Sequence, residues 1–313
     1  MTFENIVEKV DKVDSEKNYW FVRTDNGEFF QHYYEKNIIA IGWDYITVED
    51  LQQVTPGAFG LKQKIAQHEN LDIVKNSTDK SKATTIANKL LAFYKLKKGD
   101  VVVIPSENSS ILAFGIVADN KTFTYYDDPN CPFAKRRRIR WIDKRHIEEL
   151  DNIFYQVKIN RHSISSIKNF ESYIDKVLNT LFIKNGYSHF VLDIKTQDDV
   201  NFNSLLDLVN NVRELTEKLN EQFNLGEDLD KNSIKLNLQS PGKIEFKFLD
   251  GKSLILLAFL LGPLTANDNL ENVSKEEVDK LIEFKEINRE SIEEIEDAFE
   301  ELKIDQEKIN SIN

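Results

Sequence analysis

The sequence predicts an α+β protein of two domains: a small β-barrel with helices, then an α+β domain that ends in an acidic helical tail. Three observations carry that expectation. The chain has 313 residues, roughly twice the length of a usual single domain, so two hydrophobic cores are expected. Between Val101 and Ile159 short β-branched and aromatic runs follow one another closely around one or two helices, the pattern of a small closed or nearly closed barrel. After Asn160 the apolar spacing lengthens to that of helices with strands between them. The boundaries are then a leading helix over 1–17, the barrel domain over 18–165, an α+β domain over 166–265 and the acidic tail over 266–313.

Taken in order, Phe3 to Val13 places apolar residues at 3, 6, 7, 10 and 13, a helical spacing. Tyr19 to Val22 reads as a strand, Asp25-Asn26-Gly27 as a turn, and Phe29 to Tyr34 as too aromatic for solvent. Asn37 to Trp43 is a second buried strand in which Gly42 allows close backbone approach. Two short helices fall in a polar connection, at 48–51 and 61–65. Thr84 to Tyr94 is a clearer helix with Ile86, Leu90, Leu91 and Tyr94 on one side. Five strands follow: Val101–Ile104, Ile111–Val117, Phe123–Tyr126, Arg136–Ile142 and Ile153–Ile159.

In the second half, Ser166 to Phe182 reads as a helix, Tyr187 to Ile194 as a strand and Phe202 to Phe223 as a long amphipathic helix. Ile234 to Leu238 and Ile244 to Phe248 form a hairpin about Ser-Pro-Gly at 240–242, because Pro followed by Gly suits the centre of a type II turn. Leu254 to Leu261 is a buried helix stopped by Gly262-Pro263. From Ser274 the chain is acidic and helical, with Ile292, Ile295, Phe299 and Leu302 in one apolar stripe that would meet a protein partner.

Composition excludes several classes. The longest apolar run is eight residues, Leu254 to Leu261, against the roughly 20 a membrane-spanning helix requires, so no membrane partner is expected. The first fifteen residues carry Glu4, Glu8, Asp11 and Asp14 rather than a basic-apolar signal pattern, and the expected location is cytoplasmic. Cys131 is the single cysteine and starts no metal knuckle. The histidines, at 32, 68, 146, 162 and 189, form no i, i+4 pair. Phosphate loops and zinc-helix motifs are missing as well, so no cofactor is implied. The net charge of -12 is segregated: residues 1–50 carry -6, residues 51–168 carry +8 and residues 169–313 carry -14. A basic block of this kind fits contact with a polyanion, while the plainer reading is lysine on solvated faces.

Four segments in register carry a resemblance: Tyr-Trp-Phe-Val-Arg at 19–23, Ile-Ala-Ile-Gly-Trp at 39–43, Leu-Lys-Lys-Gly-Asp-Val-Val-Val-Ile-Pro at 96–105 and Lys-Arg-Arg-Arg-Ile-Arg-Trp-Ile at 135–142. Together they resemble the PUA-like/EVE-type domain at the start of some Mrr-like restriction proteins, over about half of the chain. The resemblance implies a reader of nucleic acid, modified DNA above all, in a restriction or antiphage setting. Its barrel would accept a flipped or modified base, and the C-terminal domain would recruit or signal to a protein partner. Taking a base out of a duplex costs a few kcal/mol that stacking and edge hydrogen bonds must recover. Trp43, Trp20, Tyr125, Tyr126 and Arg23 are the expected pocket residues; the competing reading makes the rings core.

Strand alternation puts Arg136, Arg138 and Arg140 on one face of the basic run, where, with Lys135, they are expected to hold phosphates; pairing with Asp127, Asp128 or Asp143 is the rival use. A second function class rests on Asp193-Ile194-Lys195. It resembles the Asp-x-Lys half of a restriction-type nuclease core, in which carboxylates hold a divalent cation and the lysine assists water. Asp193 and Lys195 would then be catalytic. The separate metal-binding Asp has no room in the short connection before that strand, and Asp175, expected on a solvated helix face, would have to serve. A third option is a PUA-like module that binds a small nucleotide or a protein.

Overall fold

The computed structural model describes residues 3–54, 57–195, 199–237, 242–266 and 273–312. The chain is α+β and divides into two compact units, one of Lys17–Ser172 and one that joins Met1–Glu16 to Tyr173–Asn313. The leading helix is therefore no separate piece. α1 (Glu4–Lys9) and the two-residue β1 (Asp11–Lys12) belong to the second unit, where Phe3, Ile6 and Val10 lie in the core.

The first unit is built on β2 (Tyr19–Val22), α2 (Phe30–Lys36), β3 (Ile38–Ile41), α3 (Val48–Gln52), α4 (Phe59–His68), α5 (Ser77–Tyr94), β4 (Val101–Pro105), β5 (Ile111–Thr124), β6 (Lys135–His146), α6 (Phe154–Val157) and β7 (Ile164–Ser166). The six-stranded sheet has the order β3-β6-β5-β4-β2-β7 and curls into a half-barrel. It is not closed, since β3 and β7 remain its two edges. α5 begins seven residues before the expected start because Asn76 caps it, its side chain accepting from the backbone N–H of Thr78 and Asp79. It packs Ala83, Ile86, Ala87, Leu90 and Phe93 into a core shared with Ile39, Val102, Ile104, Ala113 and Val117.

Two strand expectations are corrected. The runs at 111–117 and 123–126 belong to one strand, β5, whose register against β6 shifts between Val117 and Thr122; a bulge of this kind reads in sequence as a break. Ile153–Ile159 is not a strand. Asp151 accepts from the backbone N–H of Ile153, and Phe154 and Val157, three apart and both buried, face inward from the short helix α6. Alternation and helical spacing cannot be told apart over so few residues.

The second unit contains α7 (Glu171–Leu178), β8 (Leu181–Lys184), β9 (Tyr187–Ile194), α8 (Phe202–Gln222), β10 (Ser233–Asn237), β11 (Gly242–Leu249), α9 (Lys252–Leu261), α10 (Pro263–Ala266), α11 (Lys275–Ile287), α12 (Arg289–Glu301) and α13 (Gln306–Asn310). Its sheet runs β1-β8-β9-β11-β10. The helix expected to reach Phe182 stops at Leu178, and Leu181–Lys184 pairs with β9 across Asn185-Gly186. Both turn residues have positive φ, 53° and 76°, as a two-residue type I′ hairpin demands. In the second hairpin, Ser240 and Pro241 of the expected turn lie outside the described residues, while β10 and β11 pair antiparallel. α9 is buried along Ser253–Leu261 and forms the centre of the core. Ile292, Ile295, Phe299 and Leu302, expected to face a partner, lie in that same core. Among the described residues no helix is long and apolar enough to cross a membrane.

Candidate functional site

The basic run on β6 divides by burial. Lys135, Arg136 and Arg137 are 2%, 3% and 0% exposed, too low for contact with a phosphate backbone. Arg137 donates to the backbone carbonyls of Tyr94, Leu96 and Asp119, closing the end of α5 onto the barrel. Arg136 donates to Asp128 Oδ2 at 2.6 Å and to the carbonyls of Phe133 and Cys131. Lys135 Nζ donates to Asp44 Oδ1 at 2.8 Å and to the Trp43 carbonyl at 3.0 Å; burial pushes its pKa down and Asp44 opposes that fall. The expectation that Lys135 and Arg136 hold phosphates is therefore corrected: alternation fixes a strand's faces but not which loop covers them. Arg138 and Arg140 stay exposed, the first with its guanidinium 5.6 Å from the Phe123 ring centroid.

What Lys135 supports is the wall of a cleft. Trp43 follows β3 in the left-handed region, φ 57°, a conformation that costs a bulky L-residue about 1–2 kcal/mol. It persists because its carbonyl accepts from Lys135 Nζ and from the backbone N–H of Ile46. The Lys89 ammonium lies 5.6 Å from the Trp43 ring centroid, and burial lowers its pKa. Beside this ring is a cleft of about 420 Å³ lined by Arg23, Asp25, Asn26, Ala40, Ile41, Gly42, Trp43, Phe133, Arg161 and Ser163, within the range of small-ligand pockets. It forms where the half-barrel is open, since β3 at one edge and the segment leading into β7 at the other both line it. Gly42 is required there, because a Cβ would lie 3.2 Å from the Phe133 ring.

The polar side chains of this cleft are uncommitted. Arg23, Asp25, Asn26, Arg161 and Ser163 make no side-chain hydrogen bond or ion pair among the described residues. Their backbone is fixed: the Arg23 N–H donates to the Ser163 carbonyl at 2.9 Å. Two charge types are thus held in one concave site with their hydrogen-bonding capacity open, which is the property of a ligand site rather than of a structural ion network.

Of the residues named from sequence, Trp43 and Arg23 line the cleft and the others do not. Trp20 donates from Nε1 to Asp100 Oδ2 at 3.3 Å, in a knot where Asp100 also accepts from Asn18 and from the Lys97 backbone. Tyr125 and Tyr126 are 48% and 71% exposed; Tyr125 packs against the Arg136 guanidinium, 5.1 Å from its ring centroid. Sequence reading missed Asp25, Asn26, Phe133, Arg161 and Ser163. The Asp-Asn-Gly turn was the available signal for the first two, and only the sheet's curl brings the other three to it.

In the second unit the Asp-x-Lys residues do not converge. Asp193 is held by Lys243 and Lys308; burial pushes its pKa up, but the two ammoniums prevail and hold it below the usual carboxylate value. Lys195 pairs with Asp305 at 2.9 Å. Asp175, expected on a solvated face, is 1% exposed and pairs with Lys184 at 2.7 Å. Among the described residues no group of three or more His, Cys, Asp and Glu side chains is placed to hold a metal ion.

Residues 20–168, just under half of the chain, match a family described as Domain of unknown function (DUF8426). The match falls on the unit that carries the cleft. No curated protein and no solved structure matches the chain.

Proposed function

We propose that the unit of residues 17–172 is a PUA-like reader of nucleic acid that accepts one base, displaced from its stack, in the cleft beside Trp43. The observation that carries this reading is the contrast within one sheet. The buried cations of β6 are all bonded to protein oxygens, whereas the two arginines, the carboxylate and the amide around Trp43 are open. A base in the cleft would stack on Trp43, contributing about 1–3 kcal/mol, with edge contacts from the polar residues and phosphate contacts from exposed Arg138 and Arg140. This unit holds 23 Lys and Arg against 19 Asp and Glu, net +4, and the other unit -16, so a polyanion is directed to the first.

The resemblance to EVE-type domains supports modified DNA in a restriction or antiphage setting as the ligand's context, and the acidic unit as the part that recruits a protein partner. The reading is tested by fluorescence anisotropy with modified and unmodified oligonucleotides, the full chain being compared with Trp43→Ala and with Arg23→Ala/Arg161→Ala. Selective loss of the preferred substrate supports it. Equal, unperturbed binding by all three proteins would exclude the cleft.

A further inference from the structure

The polar inventory of the cleft also selects among bases, an inference that rests on the reading of the cleft as a base pocket. Asp25 is the one carboxylate among its lining residues. A carboxylate accepts hydrogen bonds and donates none, and the guanidiniums of Arg23 and Arg161 donate and never accept. A ligand edge that satisfies both must present a donor beside an acceptor.

Bases differ in this respect. Cytosine offers its exocyclic amino group beside a ring nitrogen, adenine does the same, and guanine offers N–H donors beside its carbonyl oxygen. Thymine and uracil present one ring N–H between two carbonyl oxygens, so bringing that N–H to Asp25 sets two acceptors against the carboxylate. The mismatch cannot relax by moving the loop. Asp25 and Asn26 are both left-handed, φ 51° and 55°. Gly27, φ 99°, is packed so tightly that a Cβ would lie 2.1 Å from the Glu107 backbone nitrogen. The turn is closed by Phe29 N–H to the Thr24 carbonyl at 3.0 Å, and Thr24 Oγ1 donates to the Pro105 carbonyl at 2.5 Å. The backbone that presents the carboxylate is therefore set before a ligand arrives, and a rigid donor-acceptor pattern discriminates where a mobile one adapts.

We propose that the cleft accepts bases bearing an exocyclic amino group and rejects thymine and uracil, with Asp25 accepting from the amino-bearing edge and a guanidinium of the cleft donating to the adjacent acceptor. Cytosine would thereby be told from its deamination product.

The test uses the full chain and single-stranded oligonucleotides that carry one central base, C, A, G, T or U, flanked by abasic sites, with a fully abasic strand as control. Cytosine, adenine and guanine are expected to bind about tenfold or more tighter than thymine and uracil. In Asp25→Asn the ratio should collapse at unchanged melting temperature, because an amide can turn its N–H₂ toward a carbonyl. Should that variant melt early, the wild-type ratio alone decides. Equal binding of all five bases above the abasic control, or a ratio retained in a folded Asp25→Asn, overturns the proposal and leaves the pocket standing. Binding no better than the abasic control removes the pocket and the proposal together.

Discussion

At the scale of single residues, Trp43 combines strain, partial exposure and a cleft position. Its left-handed backbone is maintained by two hydrogen bonds to its carbonyl, and strain of this kind persists where the surroundings over-determine it. Truncation to Ala removes a ring at a cleft wall. Binding of the preferred base should then weaken by about 1–3 kcal/mol with the melting temperature nearly unchanged. A core ring would behave in the opposite way, losing about 3–5 kcal/mol of stability, and a thermal melt run beside the binding assay separates the two. Lys135 acts through Trp43. Replacing it with Met leaves the Trp43 carbonyl and Asp44 without their buried donor, so chemical denaturation should show a loss of about 1–3 kcal/mol. Base preference should blur as the ring loses its fixed position.

At the scale of elements, β6 does two jobs that its sequence does not distinguish. Lys135, Arg136 and Arg137 are buried and bonded, while Arg138 and Arg140 are exposed. Arg138→Ala/Arg140→Ala should therefore flatten the slope of log affinity against log salt by about one unit per lost phosphate contact, with little change in stability. Arg136→Ala should do the reverse; a destabilised protein with an unchanged slope is the expected outcome. In the second unit β9 and β11 share a buried pair, His189 Nδ1 and Glu245 Oε1 at 2.7 Å, with Lys176 3.3 Å from the other Glu245 oxygen. Burial alone would push Glu245 up, but His189, Lys176 and Lys235 outweigh it and hold its pKa down at about 2. The folded value lies below the unfolded one, so this stability is present above about pH 4.5 and is lost as pH falls from there toward 2. A shift of that size corresponds to about 3 kcal/mol. Urea titrations at pH 6 and pH 3 should show the loss in the native chain, and Glu245→Gln should flatten it.

At the scale of the whole molecule, the chain order and the unit order differ. Residues 1–16 lie in the second unit, where Phe3, Ile6 and Val10 are 1%, 0% and 3% exposed and β1 pairs with β8. Deleting them removes three core side chains worth about 1.5–3 kcal/mol each. The second unit should melt first in such a variant, with the cleft unit's transition in place, which calorimetry would resolve as two separated peaks. Much of this was legible without coordinates. The α+β class, the strands at 19–22, 101–105 and 187–194, the buried helix at 254–261 and the two cleft residues Trp43 and Arg23 all follow from local pattern, because periodicity and turn chemistry act over a few neighbouring residues. The rest required the folded chain. Whether Arg136 meets solvent depends on Asp128 and on the carbonyls of Cys131 and Phe133 that fold over it. Whether Asp25 and Arg161 share a cleft depends on the curl of a six-stranded sheet. Sequence by itself determined which segments are apolar, extended or helical; the tertiary structure alone decided which charges are left open, because burial and convergence are properties of residues far apart in the chain.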